Sequence, residues 1–140
     1  MQPRVWLTVV GCLVLALGLP PSRALGDHHI PAGVILNVRT LQTIDAYSAW
    51  PRMRVSAVVD APVDVGGHIV LPRGAPARLE VVDVRRSPNG RGRITLRAIW
   101  IESRDRISWV GTNEIDFEGH SRIPADTWMQ FQLNTRARVE

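Results

Sequence analysis

The stretch "EIDFEGHS" at positions 114–121 holds Asp116, Glu118 and His120 at every second residue. A strand would project all three from one face. Two carboxylates and an imidazole in that arrangement could ligate a divalent metal or pass protons. Alternation of these polar residues with Ile115 and Phe117 is also how a half-solvated strand reads, and Gly119 weakens the strand. A second candidate is Asp27-His28-His29. If the chain is cut after Gly26, His29 becomes the third residue behind a free amine. The amine, two backbone nitrogens and an imidazole then suit square-planar Cu(II) or Ni(II). A cut after Ala24 leaves no such site. Trp100 and Trp109 flank "ESRDRIS" almost symmetrically, so a hairpin there sets them opposite each other. They are read as hairpin packing or as a ligand-stacking platform. His68 follows a turn and reads as exposed. There is no Gly-x-Ser-x-Gly elbow, no phosphate loop and no cysteine nucleophile. The expectation is a protein without catalytic residues and without a cofactor.

The elements that must hold these residues are strands. No stretch keeps a helical period, β-branched residues are plentiful, and turn signals recur at short intervals. "VILNVRTL" (34–41) reads as a first strand, and "AYSAWPRM" breaks it. "MRVSAVVDAPVDV" (53–65) reads as one strand with a kink or bulge near Pro62. Gly66 and Gly67 form a tight hairpin signal, followed by "HIVL". "PARLEVVDVRR" (76–86) comes next, then a turn at Asn89-Gly90. "RITLRAIWIE" (93–102) is the clearest strand, with Ile94, Leu96, Ala98 and Trp100 expected on one face and Ile99 and Ile101 on the other. "SRDR" turns it back into "ISWVG", and "TWMQFQLNTRARV" (127–139) closes the chain. These are about seven strands, mostly antiparallel. The predicted fold is all-β, a small closed barrel or a sandwich, in one domain spanning 27–140.

One punctuation occurs three times: "IPAG" at 30–33, "LPRG" at 71–74 and "IPAD" at 123–126. Pro31, Pro72 and Pro124 preset φ at the second place of a turn. Gly33, Gly74 and Asp126 tolerate left-handed backbone at the fourth. Each copy precedes an alternating strand. Unequal spacing argues against a solenoid and suits three equivalent corners of one barrel.

The first 26 residues read as a secretory signal peptide: Arg4, an uncharged apolar run, then "PPSRALG". The one cysteine, Cys12, falls inside it, so the remaining chain is no disulfide scaffold. All basic residues are Arg. Without Arg4 and Arg23, 15 of them face 13 acidic residues. They form no basic block with interleaved aromatics, so nucleic acid is not an expected partner. No other segment could span a bilayer as a helix. The expected place is the periplasm or the medium.

"IPAGVILNVRTLQTI", "RVSAVVDAPVDVGGHIVLPRGAPARLEVVDV" and "GRGRITLRAIWIES", in that order, resemble a pattern in bacterial envelope proteins. It is that of the C-terminal β-barrel of the outer-membrane-complex subunit of type IV secretion and conjugation systems, and of short secreted relatives of unknown function. The resemblance spans about residues 30–102 and, more weakly, "IPADTWMQFQL". It implies a β-barrel in the cell envelope that works through protein contacts, in an envelope assembly or a homo-oligomer. From the residues themselves, a soluble module binding a small ligand or metal is the alternative.

Overall fold

The structure is a computed structural model and describes residues 28–139. The expected leader, with Cys12, and Asp27 lie outside the described residues. The strands in chain order are β1 (His28–Ile30), β2 (Ile35–Thr40), β3 (Ile44–Asp45), β4 (Arg54–Val59), β5 (Val63–Val65), β6 (His68–Leu71) and β7 (Pro76–Arg85). Then come β8 (Arg93–Ser103), β9 (Arg106–Trp109), β10 (Ile115–Glu118), β11 (Arg122–Ile123), β12 (Trp128–Gln132) and β13 (Ala137–Val139). The described residues contain no helix, and so none long and apolar enough to cross a membrane.

One antiparallel sheet, in the order β10-β8-β7-β4-β2-β12, curls into a half-barrel. β9 lies in line with β10 along the same edge of β8. Between them the chain reaches the far end of the sheet. Thr112 bridges Leu133, Asn113 N–H donates to the Gln132 carbonyl (3.1 Å), and Asn134 N–H donates to the Gly111 carbonyl (2.9 Å). Alternation fills the concave side. Leu36 and Val38, Val55, Ala57 and Val59, Ala77, Leu79 and Val81, and Met129 and Phe131 are all buried in one core. Their outward neighbours are polar or half-exposed.

The three punctuation copies build one repeated device. Ile30, Leu71 and Ile123 are buried and end the short strands β1, β6 and β11. The fourth residues have positive φ: Gly33 +91°, Gly74 +90°, Asp126 +64°. Their N–H groups donate to the carbonyls of Leu133 (2.7 Å), Val59 (2.7 Å) and Thr40 (2.8 Å). Those same three residues donate their own N–H to Val34, Ala75 and Thr127 (2.9, 2.8 and 3.0 Å), each the residue just after a corner. So the two long strand pairs bend at these paired hydrogen bonds, β2·β12 at both its ends and β4·β7 at one, and continue as two-stranded ribbons. The ribbons are β11·β3, β5·β6 and β1·β13.

This geometry corrects two expectations. The stretch 127–139 is not one continuous strand: it breaks into β12 and β13, because the second half belongs to a ribbon outside the main sheet. The stretch 53–65 is interrupted at 60–62, beside Pro62 where a kink was expected, and its second half, β5, also leaves the main sheet for a ribbon. The face assignment along β8 also inverts part-way. Leu79 opposes Ala98, but Arg78 opposes Trp100, so Ile99 is an extra residue in a β-bulge. Ile94, Leu96 and Ala98 face the core, and beyond the bulge Ile101 takes the next core place while Trp100 turns outward. The bulge keeps a large indole with an N–H out of an otherwise aliphatic layer. Opposite it, the Thr112 hydroxyl accepts from Ala98 N–H (3.0 Å), standing in for a missing strand partner.

Candidate functional site

The outer face of the β8–β9 hairpin gathers aromatic and cationic side chains. Its turn residues, Arg104 and Asp105, both have positive φ (+50° and +64°), which joins the strands in two residues without splaying them. Trp100 pairs directly with Trp109 across the ladder. β7 lies on the other side of β8, and from it the Arg78 guanidinium stands 5.1 Å from the Trp100 ring centre. Arg54, from β4, stands 5.8 Å from that of Trp109. Arg78 is steadied by the Ser56 hydroxyl, to which it donates at 3.2 Å, while its Nε is buried with no hydrogen-bond partner. Beside the indoles, Arg97 pairs with Glu80 at 3.0 Å.

Trp109 is 65% exposed and Ile107, two residues before it on the same side, is 56% exposed. A shallow groove next to Trp109 is walled by Ile99, Val110 and the Glu80–Arg97 pair. Neither Arg54 nor Arg78 has a carboxylate partner among the described residues. A guanidinium stacked on an indole is attracted by about 0.5–1 kcal/mol at an exposed site. Arginine held this way keeps its in-plane N–H groups free to donate. The arrangement therefore offers apolar area, fixed positive charge and directional donors over one patch.

No family model matches the chain, and comparisons with curated proteins and with solved structures return no match. What the site does must be argued from its geometry.

The other residues singled out in the sequence do not converge. Asp116 and Glu118 do share the outward side of β10, but the strand ends at Glu118. Gly119 turns with φ +76° and His120 lies beyond it, exposed. The register against β8 sets Thr95 and Arg93 opposite the carboxylates. The Thr95 hydroxyl donates to Asp116 at 2.6 Å, and Arg93 lies 3.6 Å from Glu118 and 4.0 Å from Asp116. These acids are engaged across the ladder by one hydroxyl and one guanidinium. Among the described residues, no group of three or more His, Cys, Asp or Glu could hold a metal ion. His28 and His29 form β1, paired with Val139 and Arg138. A square-planar site would need both of their amide nitrogens, and in an antiparallel ladder at least one of two adjacent amides is hydrogen-bonded to the partner strand. His68 is exposed at the start of β6, directly after the Gly66-Gly67 turn, whose φ values are +62° and +82°.

Sequence reasoning named Trp100 and Trp109 but missed Arg54, Arg78 and the Glu80–Arg97 pair. The outward positions of Arg54, Arg78 and Glu80 were legible in the alternation of "RVSAVV" and "PARLE". That β4, β7, β8 and β9 lie side by side was not.

Proposed function

We propose that this chain is a non-enzymatic, exported β-barrel-type module that works through protein contacts in the cell envelope, with the Trp–Arg face as its docking surface. The carrying observation is the side-by-side placement of Trp109, Trp100, Arg54 and Arg78, with Ile107 exposed beside them. Tryptophan and arginine are the side chains most enriched where interface energy concentrates. Here their mutual stacking holds them in place before any partner arrives, which lowers the entropy cost of docking. Two guanidiniums without carboxylate partners ask for a surface carrying acidic side chains around an apolar knob. The resemblance of residues 30–102 to the outer-membrane-complex barrel, and the leader-like start, support an envelope location for that partner.

The test is the native size of the tagged protein, gently extracted from its own envelope, compared with Trp109→Ala and Arg54→Glu. The expected result is a species well above one 15.6 kDa chain, with companions lost in both variants while the isolated variants keep the wild-type circular dichroism. A free monomer in the wild type overturns the proposal. So does a large species that both variants leave intact.

A further inference from the structure

The opposite end of β8 carries a second charged feature, independent of the aromatic face. Arg85 ends β7, Arg86 follows, and a turn over 87–90 leads through Arg91 and Gly92 to Arg93 at the start of β8. The turn bonds to itself. Asn89 Oδ1 accepts from the Ser87 hydroxyl (2.6 Å) and from Arg91 N–H (3.3 Å), and Gly90, at φ +78°, donates to the Ser87 carbonyl (3.1 Å). A side chain at Gly92 would meet the Arg85 carbonyl at 3.0 Å and the His120 carbonyl at 3.3 Å, so close-packed backbone forms the floor here. Above it is a cleft of about 640 Å³ bordered by Arg85, Arg86, Arg91, Arg93 and Ser87, with Glu118 as its one carboxylate.

The charge is only partly answered. Arg85 reaches Asp83 (3.4 Å), and Arg93 reaches Glu118 (3.6 Å). Arg86 instead donates to the carbonyls of Ala46 (2.6 Å) and Ala49 (3.0 Å), which fixes its position and leaves its charge. Arg91 has no ion pair among the described residues. Arg93 Nε is buried, makes no hydrogen bond and faces the Asp116 carboxylate at 4.0 Å, so Arg93 is answered by two acids. Two uncompensated guanidiniums, one of them immobilised, border one cleft. Guanidinium forks match tetrahedral oxyanions through paired N–H bonds.

We propose that this cleft binds a dianionic phosphate group, with Arg91 and Arg86 as its main contacts. The group could be free in solution or borne on a lipid headgroup, and the test separates the two. Inorganic phosphate is titrated by calorimetry against the full chain, and flotation is measured with vesicles of phosphatidylcholine alone or with 20% phosphatidic acid. Each is repeated on Arg91→Ala and, as a control of equal charge loss elsewhere, on Arg136→Ala, an exposed residue between β12 and β13. Saturable phosphate binding that falls at least tenfold in Arg91→Ala and is unchanged in Arg136→Ala supports the site with a free ligand. Flotation only with phosphatidic acid, lost in Arg91→Ala and kept in Arg136→Ala, supports it with a headgroup. Equal losses in the two variants mean diffuse attraction to a basic surface and overturn the proposal. Absence of binding by either probe at millimolar phosphate overturns it as well.

Discussion

Three residues with positive φ carry the corners of this protein, and they differ in what they tolerate. At Gly33 and Gly74 an added Cβ would meet nothing within 4 Å, so the cost of a side chain there is conformational alone. Alanine in left-handed backbone costs about 1–2 kcal/mol. Gly33→Ala and Gly74→Ala should each lower the unfolding free energy by that amount, read from urea midpoints at unchanged slope. Changes below about 0.3 kcal/mol would remove the backbone account of the corners. Asp126 occupies the third corner with a side chain already strained at φ +64° and tied to Arg39 at 2.9 Å. Asp126→Gly trades an exposed ion pair, worth about 0–1 kcal/mol, for relief of that strain. Its effect should therefore fall within about 1 kcal/mol of zero, well short of the two alanine variants if they add their full cost.

At the scale of elements, the β8–β9 hairpin positions the aromatic face, and its turn is made from residues that do not favour it. Two-residue hairpin loops with both φ positive prefer Asn-Gly, whereas this one uses Arg104-Asp105. The double variant Arg104→Asn/Asp105→Gly should stabilise the protein by about 1 kcal/mol, which for a domain of this size is a rise of roughly 4 °C in Tm. It should leave partner binding intact, because neither residue faces Trp100 or Trp109. A fall in Tm would mean that the turn residues make contacts of more value than their backbone strain. The bulge at Ile99 is the other device of this hairpin. It is the reason one strand supplies the core with Ile94, Leu96, Ala98 and Ile101 and still presents Trp100 to the outside.

Over the whole molecule, the sheet is assembled from distant parts of the chain. β2 pairs with β12, and Asn37 meets Gln130 across 93 residues. β1 pairs with β13, so the first and last described strands lie side by side. Three corners of one design carry the chain between the half-barrel and its ribbons, and two of them depend on these long-range pairs. Because the loop-closure entropy must be met before such pairs reward it, refolding should take milliseconds to seconds. Stopped-flow tryptophan fluorescence measures it, and a single phase complete within microseconds would contradict this topology as the folding determinant.

Local chemistry was enough to announce much of this protein. Period-two alternation marked the strands after the three corners, β2, β7 and β12, because a strand's side chains alternate whatever it pairs with. The Gly66-Gly67 hairpin and the three Pro-containing corners were legible for the same reason: φ preferences belong to single residues. The all-β class followed from both. Tertiary structure decided the rest. The stretch 127–139 breaks because the partner of its second half, β1, lies at the other end of the chain. Trp100 faces outward because β7 opposes it one residue out of step. Asp116 and Glu118 meet Arg93 because β10 pairs with β8 in that register. Which strands become neighbours, and in what register, depends on the joint packing of residues more than a hundred positions apart in places, as between His28 and Val139, and no local preference encodes it.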